Sequence, residues 1–159
     1  MRKRILGQTT AAQEARSDEQ WLSPERIAEI EVTSEDPGFP IESALKLEGA
    51  AEGWRAAEPG EQLVRIVFDA PIAVRKIRLQ FRETDATRTQ EFVLRWANSR
   101  NEPLREIVRQ QWTFSPSGST SEVEDYQVNL RDVGVLELAI KPDISGGNSR
   151  ASLLAWRLA

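Results

Sequence analysis

The sequence predicts an all-β fold, a two-layered antiparallel sandwich of about eight strands, and three observations predict it. Apolar residues recur at period two, most clearly at Val64, Ile66 and Phe68 and again at Ile77, Leu79 and Phe81. Polar side chains fill the alternate positions, as with Lys76, Arg78, Gln80 and Arg82, which fits sheets with one face on a core and the other in water. The runs are divided by turn residues, and no stretch has the helical periodicity that βαβ units require.

Taken in order, residues 1–20 read as a flexible lead, rich in Thr, Gln, Ala and charge, and residues 21–159 as a single domain. Trp21 and Leu22 are the first side chains large enough to clasp a core. Ser23 before Pro24, Glu25 and Arg26 suits a brief helical turn. Residues 27–34 alternate and give the first strand. Residues 35–61 read as the longest irregular region, with a turn at Asp36-Pro37-Gly38, Phe39 tucked inward, and a helical turn that buries Ile41, Ala44 and Leu45.

Strands follow at 62–68 and 76–82, with Asp69 to Ile72 read as a turn because Pro71 has no ladder donor. The 89–97 strand directs Phe92, Leu94 and Trp96 inward and Glu91, Val93 and Arg95 outward. Further strands are expected at 104–113, 126–130 and 136–140, the last two divided by a turn at Asp132 to Gly134. The final strand, 151–158, faces inward through Leu154, Trp156 and Leu158. Ser115 to Ser121 and Pro142 to Arg150 are polar loops.

Composition limits the chemistry. The 159 residues include no cysteine and no histidine. Disulfides, cysteine-ligated zinc, imidazole ligands and histidine-dependent triads are excluded. No glycine-rich phosphate loop, serine elbow or spaced carboxylate pair stands out, so neither catalysis nor a cofactor is expected. The net charge of −4 mixes both signs and does not favour a nucleic-acid partner. Neither a signal-peptide apolar region nor a membrane-length apolar run is present, which makes a cytoplasmic location the expectation and a membrane partner none.

The stretches VTSEDPGFPIESAL, GWRAAEPGEQLVRIVF and VRKIRLQF resemble the opening of discoidin-type domains, also called galactose-binding-like or coagulation-factor C-type domains. The resemblance extends over about residues 28–158. It implies an eight-stranded antiparallel jelly-roll β-sandwich and a mostly non-catalytic family whose members bind sugars, phospholipid head groups or proteins. Trp54-Arg55-Ala56-Ala57 is also similar to the amino-terminal domain of the DNA single-strand-break repair scaffold, which shares the fold. Calcium-containing members carry an Asp-Gly before the Trp and a Glu in the last strand. The matching positions here are Glu48-Gly49 and the acid-free Leu154-Ala155-Trp156, so no structural metal is expected.

Candidate ligand residues follow from the residues and the resemblance together. Trp54 beside Arg55 offers an indole to stack a sugar and a guanidinium to bond its hydroxyls. The alternative is that Trp54 plugs the sandwich and Arg55 pairs with a loop acid such as Glu58. The resemblance implies that loop ends gather Arg82, Asp85, Arg88, Asn148 and Arg150, which could hold vicinal hydroxyls or a sugar carboxylate. Such a site also wants an exposed aromatic, and Trp112 or Phe114 would have to serve. Trp96 and Trp156 read as core. Arg65, Lys76, Arg78, Arg82 and Arg95 form an outward basic row, read as a solvated face laced with ion pairs. The resulting expectation is a non-catalytic binding module for protein interaction or assembly through its loop end. The alternative is a carbohydrate-binding module using the same loops, and the oligomeric state stays open.

Overall fold

The computed structural model describes residues 21–47 and 52–159. Among the described residues two short helices, α1 (Pro24–Ile27) and α2 (Glu42–Leu45), accompany eight strands: β1 (Ala28–Val32), β2 (Trp54–Pro59), β3 (Gln62–Arg82), β4 (Arg88–Ala97), β5 (Arg105–Phe114), β6 (Ser121–Lys141), β7 (Arg150–Leu153) and β8 (Ala155–Leu158). The antiparallel pair β3 and β6 runs the length of the molecule and belongs to both layers. Its Gln62–Val67 half continues one layer in the order β1-β3-β6-β4-β5. Its Ile77–Gln80 half continues the other, where β8 flanks β3. A separate ribbon, β2 with β7, closes the loop end. Phe81 of one layer stacks on Phe92 of the other with ring centroids 5.3 Å apart, which fixes the face-to-face packing.

The two turns expected inside this pair are bends. Asp69 to Ile72 lies within β3 and Asp132 to Gly134 within β6, and neither reverses the chain. Between the pairs Val67–Val135 and Ile72–Val133, four residues of β3 face one of β6. The surplus bends the strand from one layer into the other, as bulges do at sandwich corners. Exposed Pro71 sits in that surplus, where no ladder donor is called for. Asp132 takes a positive φ of 55°. An added Cβ at Gly134 would overlap the Asn98 carbonyl, so the bend packs against the β4–β5 turn.

The strand number agrees with expectation for compensating reasons. Two expected pairs merge into β3 and β6, β2 arises in the stretch read as irregular, and the last strand breaks at Leu154 into β7 and β8. That break changes the parity. Ala151 and Leu153 point to the core before it, Trp156 and Leu158 after it, and Leu154 is half-buried, against the inward placement expected for it. Phe92 and Leu94 are buried as expected, but Trp96 is half-buried with the Arg105 guanidinium 5.2 Å from its ring centre. Val93 is buried although it faces outward. It shares an apolar row with Ala139 and Leu63, flanked by the row in which Arg65 and Arg95 both pair with Glu137. The outward cations expected as one row are therefore split between the layers, with Arg65 and Arg95 paired to Glu137 on one and Arg78 paired to Asp125 on the other.

Trp21 clasps the second layer. Its ring is buried beneath Lys76 and Arg78, whose charged groups lie 5.0 and 5.2 Å from the ring centre. The adjacent Leu22 amide donates to the Leu158 carbonyl at 2.7 Å. Residues 1–20 lie outside the described residues.

Candidate functional site

The loop end is assembled by backbone bonds between segments distant in sequence. Asp36 closes its turn by accepting the Gly38 amide on Oδ1 at 2.9 Å. The Asp36 amide donates to the Arg55 carbonyl at 2.9 Å and the Arg55 amide to the Phe39 carbonyl at 3.1 Å. These bonds bring Phe39 beside Arg55, whose guanidinium lies 4.4 Å from the Phe39 ring centre. Gly53, at φ 72°, lets the chain before β2 press against the β7–β8 break, where a Cβ would overlap the Leu153 carbonyl.

Between these segments and the β3–β4 loop lies a cavity of about 260 Å³. Phe39, Trp54 and Leu154 give its apolar wall, and Arg55, Arg82, Glu83, Thr84, Asp85, Glu52 and Ser152 its polar groups. An aromatic edge with several convergent donors and acceptors suits a small polyhydroxylated ligand.

The β3–β4 loop is held from behind by Arg88. Its Nε donates to Glu83 Oε1 at 2.7 Å, its Nη1 to the Pro142 carbonyl at 2.6 Å, and its guanidinium stands 4.9 Å from the Phe114 ring centre. Glu83 in turn accepts the Asp85 amide on Oε2 at 3.0 Å. Burial works to raise the Glu83 pKa, but the Arg88 and Asp85 bonds outweigh it and hold the carboxyl below its ordinary range. Deeper between the layers, burial first and the neighbouring Glu124 second push the Glu122 carboxyl up to about 8.

Four of the seven expected ligand residues reach the cavity: Trp54, Arg55, Arg82 and Asp85. Trp54 does so as part of the core. Its side chain is fully buried and its indole N–H donates to the Ser34 carbonyl at 3.2 Å, so stacking of a sugar on that ring is corrected. Arg55 stacks on Phe39 and does not pair with Glu58. Arg88 is a buried clamp, since only 2% of its side chain is exposed. Asn148 and Arg150 are exposed but do not line the cavity, and Arg150 lies 3.9 Å from Asp36. The suggested aromatics are elsewhere too: Phe114 is buried and the half-buried Trp112 donates to Ser119 Oγ at 3.0 Å.

Beside the buried Trp54, the cavity is lined by a second aromatic, Phe39, which the sequence marked only as an inward plug. Its turn, Asp36-Pro37-Gly38, was the available signal. Glu83, Thr84 and Ser152 had none, because nothing local sets them apart from solvated loop residues.

Among the described residues no group of three or more acids is placed to hold a metal ion. Glu48-Gly49 lies outside them. The last strands contribute no carboxylate, and the Leu154 amide is used by the Gln80 carbonyl. The described residues therefore do not fit the calcium site that the resemblance would allow.

No protein-family model and no curated protein matches the sequence. Solved structures do match its shape. A family 32 carbohydrate-binding module from Clostridium perfringens, in complex with GalNAc-β-1,3-galactose, is 14% identical, with a TM-score of 0.63 over 87% of this chain and 98% of that one. The family 32 module of AlyQ, in complex with 4,5-unsaturated mannuronic acid, is 15% identical, with a TM-score of 0.61 over 84% and 95%. Reduced XRCC1, bound to the DNA polymerase β catalytic domain, is 16% identical, with a TM-score of 0.54 over 81% and 92%. Identities this low speak for architecture, and by that measure the chain has the galactose-binding-like, discoidin-type jelly-roll fold.

Proposed function

We propose that the protein is a non-catalytic carbohydrate-binding module that takes one sugar unit in the loop-end cavity. The observation that carries this reading is the meeting of Phe39, Arg55, Arg82 and Asp85 around a concave space of about 260 Å³. That volume lies just below the roughly 300–1,000 Å³ of drug-sized sites and suits a single ring. The Phe39 edge can pack on the apolar face of a pyranose, while Arg55, Arg82 and Asp85 are the donor and acceptor set for neighbouring hydroxyls. The sugar complexes among the similar structures support the same reading.

The expected affinity is weak. A hexose has about a dozen non-hydrogen atoms, and at about −0.3 kcal/mol each the binding free energy is about −4 kcal/mol, a Kd on the order of 1 mM. Titration of galactose, N-acetylgalactosamine and galacturonate, followed by NMR, tests this. Saturable shifts at the Thr84, Asp85 and Ser152 amides support the reading, and shifts elsewhere or none up to tens of millimolar sink it.

Protein interaction through the loop end is the second reading, favoured by the XRCC1 complex. A pull-down whose captured partner is released by Arg55→Glu, with no sugar shifts, would put it first.

A further inference from the structure

Four of the buried side-chain atoms that lack a hydrogen-bond partner belong to residues that meet between the layers behind the cavity loop: Glu122 Oε2, Glu124 Oε2, Gln90 Oε1 and Tyr126 OH. Alternation along β6 puts Glu122, Glu124 and Tyr126 on one face, in register with the inward Phe81, Leu79 and Ile77 of β3. Glu122 is 1% exposed and Gln90, across the sandwich on β4, is fully buried. Gln90 Nε2 donates to Glu122 Oε1 at 3.2 Å, while Glu122 and Glu124, two residues apart on that face, each leave an Oε2 buried without a donor.

Charged carboxylates offer only acceptors, and no donor reaches either buried Oε2, which favours a proton on Glu122. Two charges two residues apart on one buried face would also repel. Among the described residues no cation pairs with Glu122 or Glu124. Arg88 lies on the same face of β4 as Gln90 and acts on Glu122 from there, but it is engaged by Glu83, the Pro142 carbonyl and the Phe114 ring. The other neighbours supply no charge: Phe81 and Leu79 on β3 are apolar, Gln90 on β4 is neutral, and Tyr126 is held un-ionised by burial and by both glutamates.

We propose that the buried Glu122 carboxyl keeps its proton in neutral solution and forms a pH switch on the β3–β4 loop. The connection is short. Ser121 pairs with Arg82, the Glu83 amide donates to the Thr120 carbonyl at 2.9 Å, and Arg88, on the same face of β4 as the Gln90 that bonds Glu122, donates to Glu83. Loss of the Glu122 proton to solvent adds a buried negative charge. The added charge draws Arg88 inward, away from Glu83, and Glu83 then releases the Asp85 amide that it holds at 3.0 Å. On the sugar-binding reading, the cavity loses an ordered wall in alkaline solution. The switch itself rests only on the loop.

The full-length chain is examined at pH 6 to 10. Infrared difference spectra should contain a protonated-carboxyl C=O band at pH 7 that vanishes with a midpoint near pH 8, and Glu122→Gln should remove it. The Asp85 amide should exchange with solvent at least tenfold faster, after correction for intrinsic rate, above that midpoint than below it. In Glu122→Gln, whose amide keeps the inner side neutral, the acceleration should be absent. A spectrum without the band at pH 7 overturns the protonated Glu122. So does millimolar calcium that raises the melting temperature and abolishes the band, which would make the pair a cation site. A band that titrates while Asp85 exchange stays constant overturns the switch. None of these results depends on a sugar, so failure here and failure of the sugar titrations remain distinct.

Discussion

The Arg88 guanidinium donates to the Glu83 carboxylate at 2.7 Å from a site where only 2% of the arginine side chain and 19% of the glutamate side chain meet solvent. This pair, with the Pro142 carbonyl and the Phe114 ring, ties three loops together behind the cavity. It is therefore a structural clamp, and reversal of Arg88 should not act as a mild surface change. Arg88→Ala leaves Glu83 and the Pro142 carbonyl without their partner, and a broken buried pair costs about 3–5 kcal/mol. Chemical denaturation should register that loss, and Arg88→Lys should recover only part of it, because an ammonium cannot reproduce the fork. A stability change under about 0.5 kcal/mol would mean that the clamp is dispensable.

Stability should fall as pH rises through the titration window of Glu122. The ordinary carboxyl value is 4.5 and the folded value is about 8. Below 4.5 both folded and unfolded chains hold the proton and the full contribution is present. Between the two values the unfolded chain has released it and the native one has not, so raising the pH costs stability, by up to about 1.4 kcal/mol per pH unit, until the folded group also titrates. Glu83 acts with the opposite sign, since its lowered pKa contributes stability that disappears in acid, below the ordinary carboxyl range. Thermal melts from pH 5 to 9 should decline and then level off for the wild type, and Glu122→Gln should flatten that decline. An unchanged slope in the variant would assign the titration to another group.

Gly53→Ala should destabilise the loop end and weaken sugar binding together. The substitution puts a side chain at φ 72° and into the Leu153 carbonyl, so both strain and overlap oppose it. A loss of more than about 1 kcal/mol is expected in denaturant titration. Gly118, where an added Cβ meets nothing, is the control, and Gly118→Ala should leave the midpoint unmoved.

Binding variants should separate the cavity from its surroundings. Arg55 is exposed and Phe39 half-buried, so Arg55→Ala should leave melting within the about 0.5 kcal/mol usual for surface changes while reducing sugar affinity at least tenfold. Phe39→Ala should reduce it comparably, with some loss of stability. Arg150→Ala and Asn148→Ala should have no effect on binding, since neither residue lines the cavity. Loss of affinity in the last two with none in the first two would relocate the site toward the β6–β7 loop.

Burial of the core indoles can be checked in the same way. Trp156 is fully buried, and Trp156→Ala should cost about 3–5 kcal/mol, with Trp156→Phe milder. An Ala variant of native stability would contradict the parity found for β8.

The sequence by itself determined the layers. The alternation through Val64, Ile66 and Phe68, through Ile77, Leu79 and Phe81, and through Phe92 and Leu94 reports directly which side chains leave water, because strand side chains switch faces at every residue. It also determined the Trp21 clasp, the burial of Ile41, Ala44 and Leu45, and the arginines and aspartate from which the cavity wall is drawn. Tertiary structure decided what alternation does not encode. Whether the chain reverses at Asp69–Ile72 or bends onward depends on its pairing with β6, which local composition does not specify. Whether Trp54 meets ligand or core depended on the Ser34 carbonyl, twenty residues away, and whether Arg88 meets solvent depended on Glu83, Pro142 and Phe114. Phe39 joined Arg55 through two backbone bonds across sixteen or more residues of chain. Each of these outcomes is set by a partner distant in sequence, and the free energy of burying a polar group depends on that partner rather than on the residue itself.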